Sequence, residues 1–398
     1  MKLLIVASSL DLTAPFSATP AWWQLLKALY EVGVELLVTT YQGPAIESLW
    51  WRALPNPVQR EGDLFLRGRK LAGRITRGGS GRKAAAVNTG ASGESLIDQA
   101  QRQAAFRLIR PKWQAFFEKT LNAQPDIDAV IFLTVPLNQL AGLPRWISDT
   151  YHKPVIYYDG DVPASLPAFA GFASGFKIYQ GADLGEYAGF ISNSLGGIDT
   201  LLKMGARRAD VLYYGADPDV FAPLDVPQDV DVFFYGHTRE YREQWIDAMI
   251  GRASEALPER VFAVRGHGLG NIGRATQLPY LSLSKLREYA CRSKINLCVT
   301  RQAHASVMAS SSSRPFELGS LGACMVCNPY LGLETWFEPD KEIVIIATPE
   351  EAVDRYRWLL NHDTERQAIG RAARARVLKE HTFRHRAAQL LTILQSYQ

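Results

Sequence analysis

Residues 310–329, with the sequence SSSSRPFELGSLGACMVCNP, carry side chains in an order that could bind an anion. The serines predict a loop in which Ser312 or Ser313 caps the amino terminus of a helix, because a hydroxyl can accept from a free backbone N–H. A helix that begins there points further N–H donors at a ligand, and Arg314 adds a full positive charge. Glu317, one turn further on, is placed to accept hydrogen bonds from hydroxyl groups of that ligand. The segment therefore predicts a phosphate cradle with a carboxylate beside it.

The rest of the chain alternates strand-like and helix-like segments, which is typical of parallel sheets covered by helices on both faces. In the amino-terminal half the predicted strands are residues 2–7, 34–40, 129–134, 154–158, 189–192 and 210–214. The predicted helices of that half are residues 20–32, 96–121, 136–149 and 197–204. In the carboxyl-terminal half the predicted strands are residues 231–235, 261–265, 294–299, 323–326 and 343–346. The predicted helices there are residues 239–257, 285–291, 349–360 and 364–381.

A segment rich in proline and aspartate, residues 215–231, separates the two halves. A chain of 398 residues is too long for one ordinary hydrophobic core, so two domains are expected. The sequence predicts an α/β fold with two doubly wound, Rossmann-like domains, residues 1–222 and residues 223–380. Such domains bind ligands beyond the carboxyl ends of their strands, so a cleft between them is the expected binding site.

The composition is that of an ordinary globular protein, with 47% hydrophobic and 21% charged residues. No run approaches the roughly 18 apolar residues of a membrane span. The amino terminus, MKLLIVASSLDLT, is typical of a buried strand rather than of a signal peptide. Four cysteines in so long a chain do not make a disulfide framework. These features favour a cytoplasmic setting.

Positive charge is concentrated between residues 60 and 83, where eight basic and two acidic side chains give a balance of +6, against +4 for the whole chain. The stretch RGGSGRK has the composition of a mobile loop, and residues 60–95 are predicted to form a flexible basic insertion. One interpretation is a solvated loop. The other is a flap in weak contact with an anionic acceptor or with the inner face of a membrane. No specific nucleic acid is expected, because no aromatic residues are interleaved with the basic ones after Phe65.

Several segments, taken in order, resemble one known family. They are GADP followed by Phe221 and Pro223, DVFFYGHTREYR, SRPFELGSLGACMV, ETWFEPDKEI, TPEEAVDRYRWLL and HTFRHRAAQLL. This set resembles the group 1, family-four-like glycosyltransferases of the spore-maturation type, which have the GT-B fold. The resemblance is strongest in the carboxyl-terminal half. It implies a metal-independent, hexosyltransferase-like enzyme without a cofactor that moves a sugar from a nucleotide-diphosphate sugar to an acceptor hydroxyl. It also implies that a final helix, residues 381–398, packs back on the first domain.

The resemblance implies that the second domain binds the donor. Arg314 and the N–H groups near Phe316 would hold the diphosphate, and Glu317 would hold the ribose. Many relatives have an acid eight positions before that glutamate, where this chain has Ala309, so contacts with the donor sugar are expected to differ. The loops after two predicted strands would contact the diphosphate and the base. The donor-binding residues of these loops would be Gly236, His237, Thr238, Arg239, Arg242, Gly266 and His267.

An inverting transferase needs a general base on the acceptor side to deprotonate the attacking hydroxyl. Asp161 is the first candidate and Asp11 the second, because both follow predicted strands at the ligand-binding end of the first domain. His152 precedes its strand and lies at the wrong end. The spacing of Asp159 and Asp161 is also found in metal-binding carboxylate pairs, and equally in plain turns.

Two other functions are compatible with the sequence. A sugar-nucleotide epimerase can use the same two-domain fold, and a non-catalytic binder of sugar nucleotides or glycans is suggested by Ala309. The sequence leaves open the donor base and sugar, the stereochemical outcome and the oligomeric state. It also leaves open whether the acceptor is a glycan, a lipid-linked molecule or a small molecule.

Overall fold

The computed structural model describes residues 1–13, 19–62, 103–167, 178–236 and 242–397. Within these ranges the strands form two parallel sheets, of seven and six strands. The first sheet contains β1 (Lys2–Ala7), β2 (Glu35–Thr40), β3 (Arg52–Ala53), β4 (Ala129–Leu133), β5 (Val155–Asp159), β6 (Gly189–Ser192) and β7 (Ala209–Val211). Its spatial order is β3-β2-β1-β4-β5-β6-β7.

The second sheet contains β8 (Val230–Tyr235), β9 (Phe262–Arg265), β10 (Thr276–Gln277), β11 (Ser293–Cys298), β12 (Met325–Cys327) and β13 (Val344–Ile345). Its order is β10-β9-β8-β11-β12-β13. We call the two sheets, each with its own helices, the first and second domains. In each sheet the order reverses beside the first strand of the domain, which is the position where doubly wound folds open a ligand crevice.

Helices cover the sheets. Those of the first domain are α1 (Thr19–Glu31), α2 (Arg110–Ala123), α3 (Leu143–Tyr151) and α4 (Ile198–Lys203). In the second domain, α5 comprises Glu243–Ile246, the π-helical Asp247–Arg252 and Ala253–Ala256. The remaining helices are α6 (Leu283–Arg292), α7 (Gln302–Ala305), α8 (Ser313–Ser320), α9 (Glu351–Asn361), α10 (Asp363–Glu380) and α11 (Phe383–Gln395). No helix in these described ranges is long and apolar enough to cross a membrane.

The central strands have continuous apolar sequences because helices bury both of their faces. Every residue of β1, β4 and β5 is buried. Trp22 of α1 packs against Tyr158 of β5 with ring centroids 5.1 Å apart. The strands thus form a rigid base whose carboxyl ends carry the loops discussed below.

The chain crosses between the domains at two places that lie side by side. The Ala216 amide donates to the His381 carbonyl at 3.1 Å, and the Phe383 amide donates to the Ala216 carbonyl at 2.9 Å. After the second crossing, α11 lies against α1, where Arg384 forms an ion pair with Glu31 at 2.7 Å. The last helix therefore contacts the first helix of the opposite domain.

Some expected elements differ from those observed. Residues 136–149 do not form one helix: a 3₁₀ turn, Leu137–Gln139, comes first, and Gly142 has a φ of 82°, so α3 begins only at Leu143. The strand expected at residues 210–214 is β7 and ends at Val211. Residues 63–95 of the expected basic insertion and the first part of the helix expected at 96–121 lie outside the described residues.

Candidate functional site

Two glycine turns meet at the carboxyl ends of the neighbouring strands β8 and β9. The Gly236 amide donates to the Arg265 carbonyl at 2.9 Å. A Cβ on Gly266 would lie 1.9 Å from the Gly236 carbonyl oxygen, so glycine is required for this close approach. A Cβ on Gly236 would lie 3.1 Å from an Arg314 terminal nitrogen. The structure therefore brings together the two glycine turns and the arginine that the sequence assigned to the donor site.

Arg314 lies between the aromatic side chains at the end of β8 and the loop after β11. Its guanidinium carbon is 4.8 Å from the centroid of the Tyr235 ring and 5.4 Å from that of Phe234. One terminal nitrogen donates to the Val299 carbonyl at 3.3 Å. Its Nε is buried and has no hydrogen-bond partner among the described residues. A buried donor without a partner is costly, and an anionic ligand would satisfy it.

Glu317 is 7% exposed and lies next to Arg314. The Tyr235 hydroxyl donates to Glu317 Oε2 at 3.3 Å. Burial raises the pKa of Glu317, while the Arg314 charge and hydrogen bonds from Tyr235, Ser313 and Gln24 act in the opposite direction. Gln24 belongs to α1, so this carboxylate lies where the second domain faces the first. It can accept hydrogen bonds from a ligand at the boundary of the two domains.

The side chains at the start of α8 differ from the expected anion cradle. Ser312 occupies the N-cap position, but no side-chain cap hydrogen bond is present. Phe316 is fully buried and packs on Trp336, with centroids 5.7 Å apart, so only its backbone could face a ligand. Ser313 is half-buried and lies beside Glu317. The backbone N–H groups of this turn thus remain candidates for an anion, and the phenylalanine side chain does not.

The serine run was expected to form a loop around a phosphate, and its first half instead joins the two domains. Ser310 and Ser311 are fully buried. The Ser310 hydroxyl donates to the Val162 carbonyl at 2.8 Å, and the Ser311 hydroxyl donates to the Asn193 carbonyl at 2.9 Å. Small hydroxyl side chains suit this place because they can satisfy backbone groups of a closely packed neighbour.

Ala309, at the position where the sequence resemblance implied an acid, belongs to the same junction. It is fully buried and has a φ of 44°, and its carbonyl accepts from the Leu195 amide at 3.2 Å. Its own amide donates to the Leu331 carbonyl at 3.0 Å. The backbone around Ala309 is thus bonded to both domains, and its methyl group faces no ligand-accessible space.

Asp161 follows β5, as expected, but its carboxylate is already paired across the domain boundary. Arg301 forms an ion pair with it, and His304 Nε2 lies 3.2 Å from the same oxygen. Burial raises the pKa of Asp161, but Arg301 and His304 outweigh that effect and lower it to about 2. In this arrangement the carboxylate is ionised and is a weak base.

The Asp159 side chain stabilises the turn that carries Asp161. It is fully buried and accepts hydrogen bonds from the Tyr179 hydroxyl at 2.6 Å, from the Asp161 amide at 2.9 Å and from the Ser165 hydroxyl. Burial raises its pKa to about 6, although these hydrogen bonds act in the opposite direction. Among the described residues no group of three or more potential ligands could hold a metal ion. The Asp161 amide donates to the Asp159 side chain, which is the hydrogen-bond pattern of a turn.

Asp11, the second candidate base, closes a local turn. Its Oδ1 accepts from the Thr13 amide at 2.8 Å and from the Thr13 hydroxyl at 2.6 Å, while the Asp11 amide donates to Ser9. The side chain is partly exposed after β1. Gly43 lies beside it, since a Cβ there would be 4.0 Å from Asp11 Cβ.

The remaining predicted residues are placed only in part. His237, Thr238 and Arg239 lie outside the described residues. Arg242 stands at the N-cap of α5, directly after that gap, and is half-buried. His267 is exposed and directly follows Gly266, at the end of β9.

The sequence did not single out Arg301, His304 or Gln24. Arg301 and His304 lie three residues apart around the short helix α7, which has no periodic pattern long enough to be recognised. Gln24 lies on the buried face of α1 as a polar residue among apolar ones. A polar side chain on a buried helix face was the signal that could have identified it.

Comparisons with known proteins identified a matching family and similar solved structures. The family described as "Glycosyl transferase-like" matches residues 239–392, which is less than half of the chain. No curated protein sequence matches the chain.

Solved structures similar to this one cover its whole length. Sucrose-phosphate synthase from Thermosynechococcus elongatus has a TM-score of 0.63 at 14% identity and covers 100% of this chain and 99% of its own. HepE from Anabaena, in complex with UDP-glucose, has a TM-score of 0.61 at 12% identity and covers 100% of both chains. A glycosyltransferase from Rickettsia africae has a TM-score of 0.56 at 11% identity and covers 100% of this chain and 98% of its own. The chain therefore has the GT-B fold predicted from its sequence, and residues 239–392 are similar to the family described as glycosyl transferase-like.

Proposed function

We propose that the protein is a glycosyltransferase that moves a sugar from a nucleoside diphosphate sugar to an acceptor hydroxyl. The observation that carries this proposal is the buried Arg314 Nε without a partner among the described residues, at the place where two glycine turns and the start of α8 converge. An arginine fork, free backbone N–H groups and turns without Cβ atoms are the features that a diphosphate requires.

The roles of the other residues follow from their positions. Glu317 would accept from the ribose hydroxyls, because it is a buried carboxylate beside Arg314. Gly266 and His267 would face the base. Gly236 would lie under the diphosphate, with Arg242 adding charge, and His237, Thr238 and Arg239 are proposed as further contacts from the sequence alone.

The leaving diphosphate would be neutralised by arginines and helix N–H groups rather than by a metal ion. The family match of residues 239–392 supports a glycosyltransferase. The spore-maturation type and a hexose as the transferred sugar are finer proposals that rest on the resemblance of the sequence segments. The fold is shared with a protein in complex with UDP-glucose, so a UDP-hexose is the first donor to examine. Asp161, or else Asp11, would serve as the base if the reaction inverts the anomer.

The experiment combines donor binding with detection of products. Diphosphate sugars of uridine, thymidine, guanosine and cytidine are screened by thermal shift, and those that bind are incubated with acceptor panels and followed by mass spectrometry. We expect one donor to raise the melting temperature and to release its nucleoside diphosphate with a glycosylated product. Arg314→Gln should weaken donor binding about tenfold or more, whereas the control Arg145→Gln, which removes an exposed ion pair with Asp183, should not.

The same incubations separate the alternatives. An epimer formed without acceptor would identify an epimerase. Donor binding with neither sugar transfer nor slow donor hydrolysis would identify a non-catalytic binder. Absence of binding by every diphosphate sugar would contradict the proposal.

A further inference from the structure

A cluster of polar side chains lies across the domain boundary and joins Asp161 of the first domain to Arg301 and His304 of the second. One terminal nitrogen of Arg301 contacts both the Asp161 carboxylate and His304 Nε2. His304 Nε2 is 3.2 Å from the same carboxylate oxygen. We call these three residues the latch cluster. They converge on one point between the carboxyl ends of β5 and β11.

Ser310 fixes the orientation of His304, which is only 2% exposed. The Ser310 hydroxyl donates its single hydrogen to the Val162 carbonyl, so its oxygen accepts from His304 Nδ1–H at 2.8 Å. This hydrogen-bond pattern assigns the proton to Nδ1 and leaves a lone pair on Nε2 that accepts from Arg301. Burial and then the Arg301 charge lower the pKa of His304, which favours the neutral ring. The histidine thus positions the guanidinium without neutralising it.

The two charged groups of the latch cluster remain accessible. Their side chains are 21% exposed for Arg301 and 33% exposed for Asp161. An ion pair that keeps this much contact with solvent contributes little to stability. It can therefore be exchanged for a better anionic partner without unfolding either domain.

Arg301 also belongs to the same loop as the backbone partner of Arg314. The Val299 carbonyl accepts from Arg314 at 3.3 Å, and Arg301 is two residues further along the chain. Arg314 thus reaches the carboxyl end of β11, and Arg301 follows that strand end in the chain. Two arginines at one strand end suit a diphosphate, because it presents two adjacent anionic groups.

We propose that Arg301 is a second diphosphate-binding residue, and that Asp161 of the opposite domain occupies its guanidinium until the donor binds. This inference rests on the proposed function. The donor diphosphate and the Asp161 carboxylate compete for one cation. Donor binding releases the carboxylate toward the acceptor side of the cleft.

The exchange would also change what Asp161 can do. The Arg301 charge is the main influence that lowers the pKa of Asp161, against the effect of burial. When Arg301 pairs with the diphosphate instead of Asp161, the pKa of the carboxylate rises toward the range in which it can accept a proton from a hydroxyl. Donor therefore binds before the acceptor is activated.

Isothermal titration calorimetry with two probes, UDP and inorganic pyrophosphate, tests the competition. The variants are Asp161→Asn, Arg301→Gln, the double variant and the control Asp183→Asn, which removes an exposed ion pair within the first domain. Asp161→Asn should bind both probes about three- to tenfold more tightly, because the carboxylate that competes with the probe for Arg301 is gone. Arg301→Gln should bind about tenfold more weakly, and the double variant should match it. Asp183→Asn should match the wild type.

Unchanged or weaker binding by folded Asp161→Asn would overturn the inference, and so would absence of binding by the wild type and this variant. Asp161→Ser serves in place of Asp161→Asn if circular dichroism shows that the asparagine variant does not fold. Tighter binding by the variant, together with absence of sugar transfer by the wild type, would uphold the competition and contradict the proposed function. Sugar transfer by the wild type without tighter binding by the variant would uphold the proposed function and contradict the competition between Asp161 and the diphosphate.

Discussion

Ser311 and Asn193 hydrogen-bond each other across the domain boundary through backbone and side chain. The Ser311 amide and hydroxyl both donate to the Asn193 carbonyl at 2.9 Å, and the Asn193 side-chain amide donates to the Ser311 carbonyl at 2.8 Å. Both residues are fully buried. The boundary between the domains therefore has a polar centre whose groups satisfy one another, and the serine run supplies half of it.

Asn193→Ala tests how much this polar centre stabilises the chain. Its side chain also accepts from the Val162 amide at 2.9 Å. The variant leaves that amide and the Ser311 carbonyl without partners, at about 1–3 kcal/mol for each group. We expect the free energy of unfolding to fall by roughly 2–6 kcal/mol in urea denaturation.

Asn271→Ala is the matched control. Asn271 is exposed, and its side chain makes two hydrogen bonds, to Asp247 at 2.9 Å and from the Gly273 amide at 3.0 Å. Water can replace both, so the loss should stay below about 1 kcal/mol. Equal losses in the two variants would contradict the interpretation of the domain boundary.

Glu317→Gln tests the ribose contact. A charged acceptor contributes more to a hydrogen bond than a neutral one, so we expect affinity for UDP to fall about tenfold. The affinity for 2′,3′-dideoxy-UDP should change little, because that ligand has no ribose hydroxyls to donate. Titration of both ligands measures the difference. Glu342→Gln, at a buried glutamate paired with Arg376, is the control and should alter neither affinity.

Gly266→Ala tests the close approach of the two glycine turns. The new Cβ would meet the Gly236 carbonyl oxygen at 1.9 Å, so the backbone must shift. We expect a loss of about 1–3 kcal/mol in the free energy of unfolding and weaker binding of UDP, measured by denaturation and titration. At Gly62 a Cβ would meet nothing within 4 Å, so Gly62→Ala should leave both quantities unchanged. Normal binding by folded Gly266→Ala would argue against a role for the Gly236 turn.

Asp159 predicts a pH dependence of stability. Burial raises its pKa from 3.8 to about 6, so the folded protein binds the proton more tightly than the unfolded chain. The stabilising contribution is fully present below pH 3.8 and is lost as pH rises through 6. Between pH 4 and pH 7 the free energy of unfolding of the wild type should fall by about 2 kcal/mol relative to that of Asp159→Asn.

Urea denaturation of the two proteins across this pH range provides the measurement. The exposed Asp183→Asn serves as control and should follow the wild type. If Asp159→Asn shows the same pH dependence as the wild type, the buried carboxyl is not the source of the effect.

The fold could be predicted because strands buried on both faces leave a plain signal. The strand expected at residues 2–7 is confirmed as Lys2–Ala7, and the one at residues 189–192 as Gly189–Ser192. Short elements were missed, since β3 and β10 have two residues each and depend on neighbouring strands rather than on sequence pattern. The expected helix at 136–149 was wrong because Gly142 adopts a left-handed conformation there.

The structure of the candidate site was predictable where neighbouring residues determine it and not where it depends on the opposite domain. The position of Arg314 at the start of a helix follows from the serines and the proline next to it in the sequence. The pairing of Asp161 with Arg301 joins residues 140 positions apart, and nothing near either one indicates the other. The same applies to the burial of Ser310 and Ser311, which a local interpretation placed in a loop.

The paired crossings of the chain at Ala216 and at His381 have a mechanical consequence. Two segments that are hydrogen-bonded side by side form a two-stranded connection. Such a connection bends easily out of the plane of the pair but resists twisting. A Cβ at Gly215 would lie 2.8 Å from the His381 carbonyl oxygen, so the two segments are as close as backbone allows. Opening of the cleft should therefore follow a single hinge axis, with both crossings bending together.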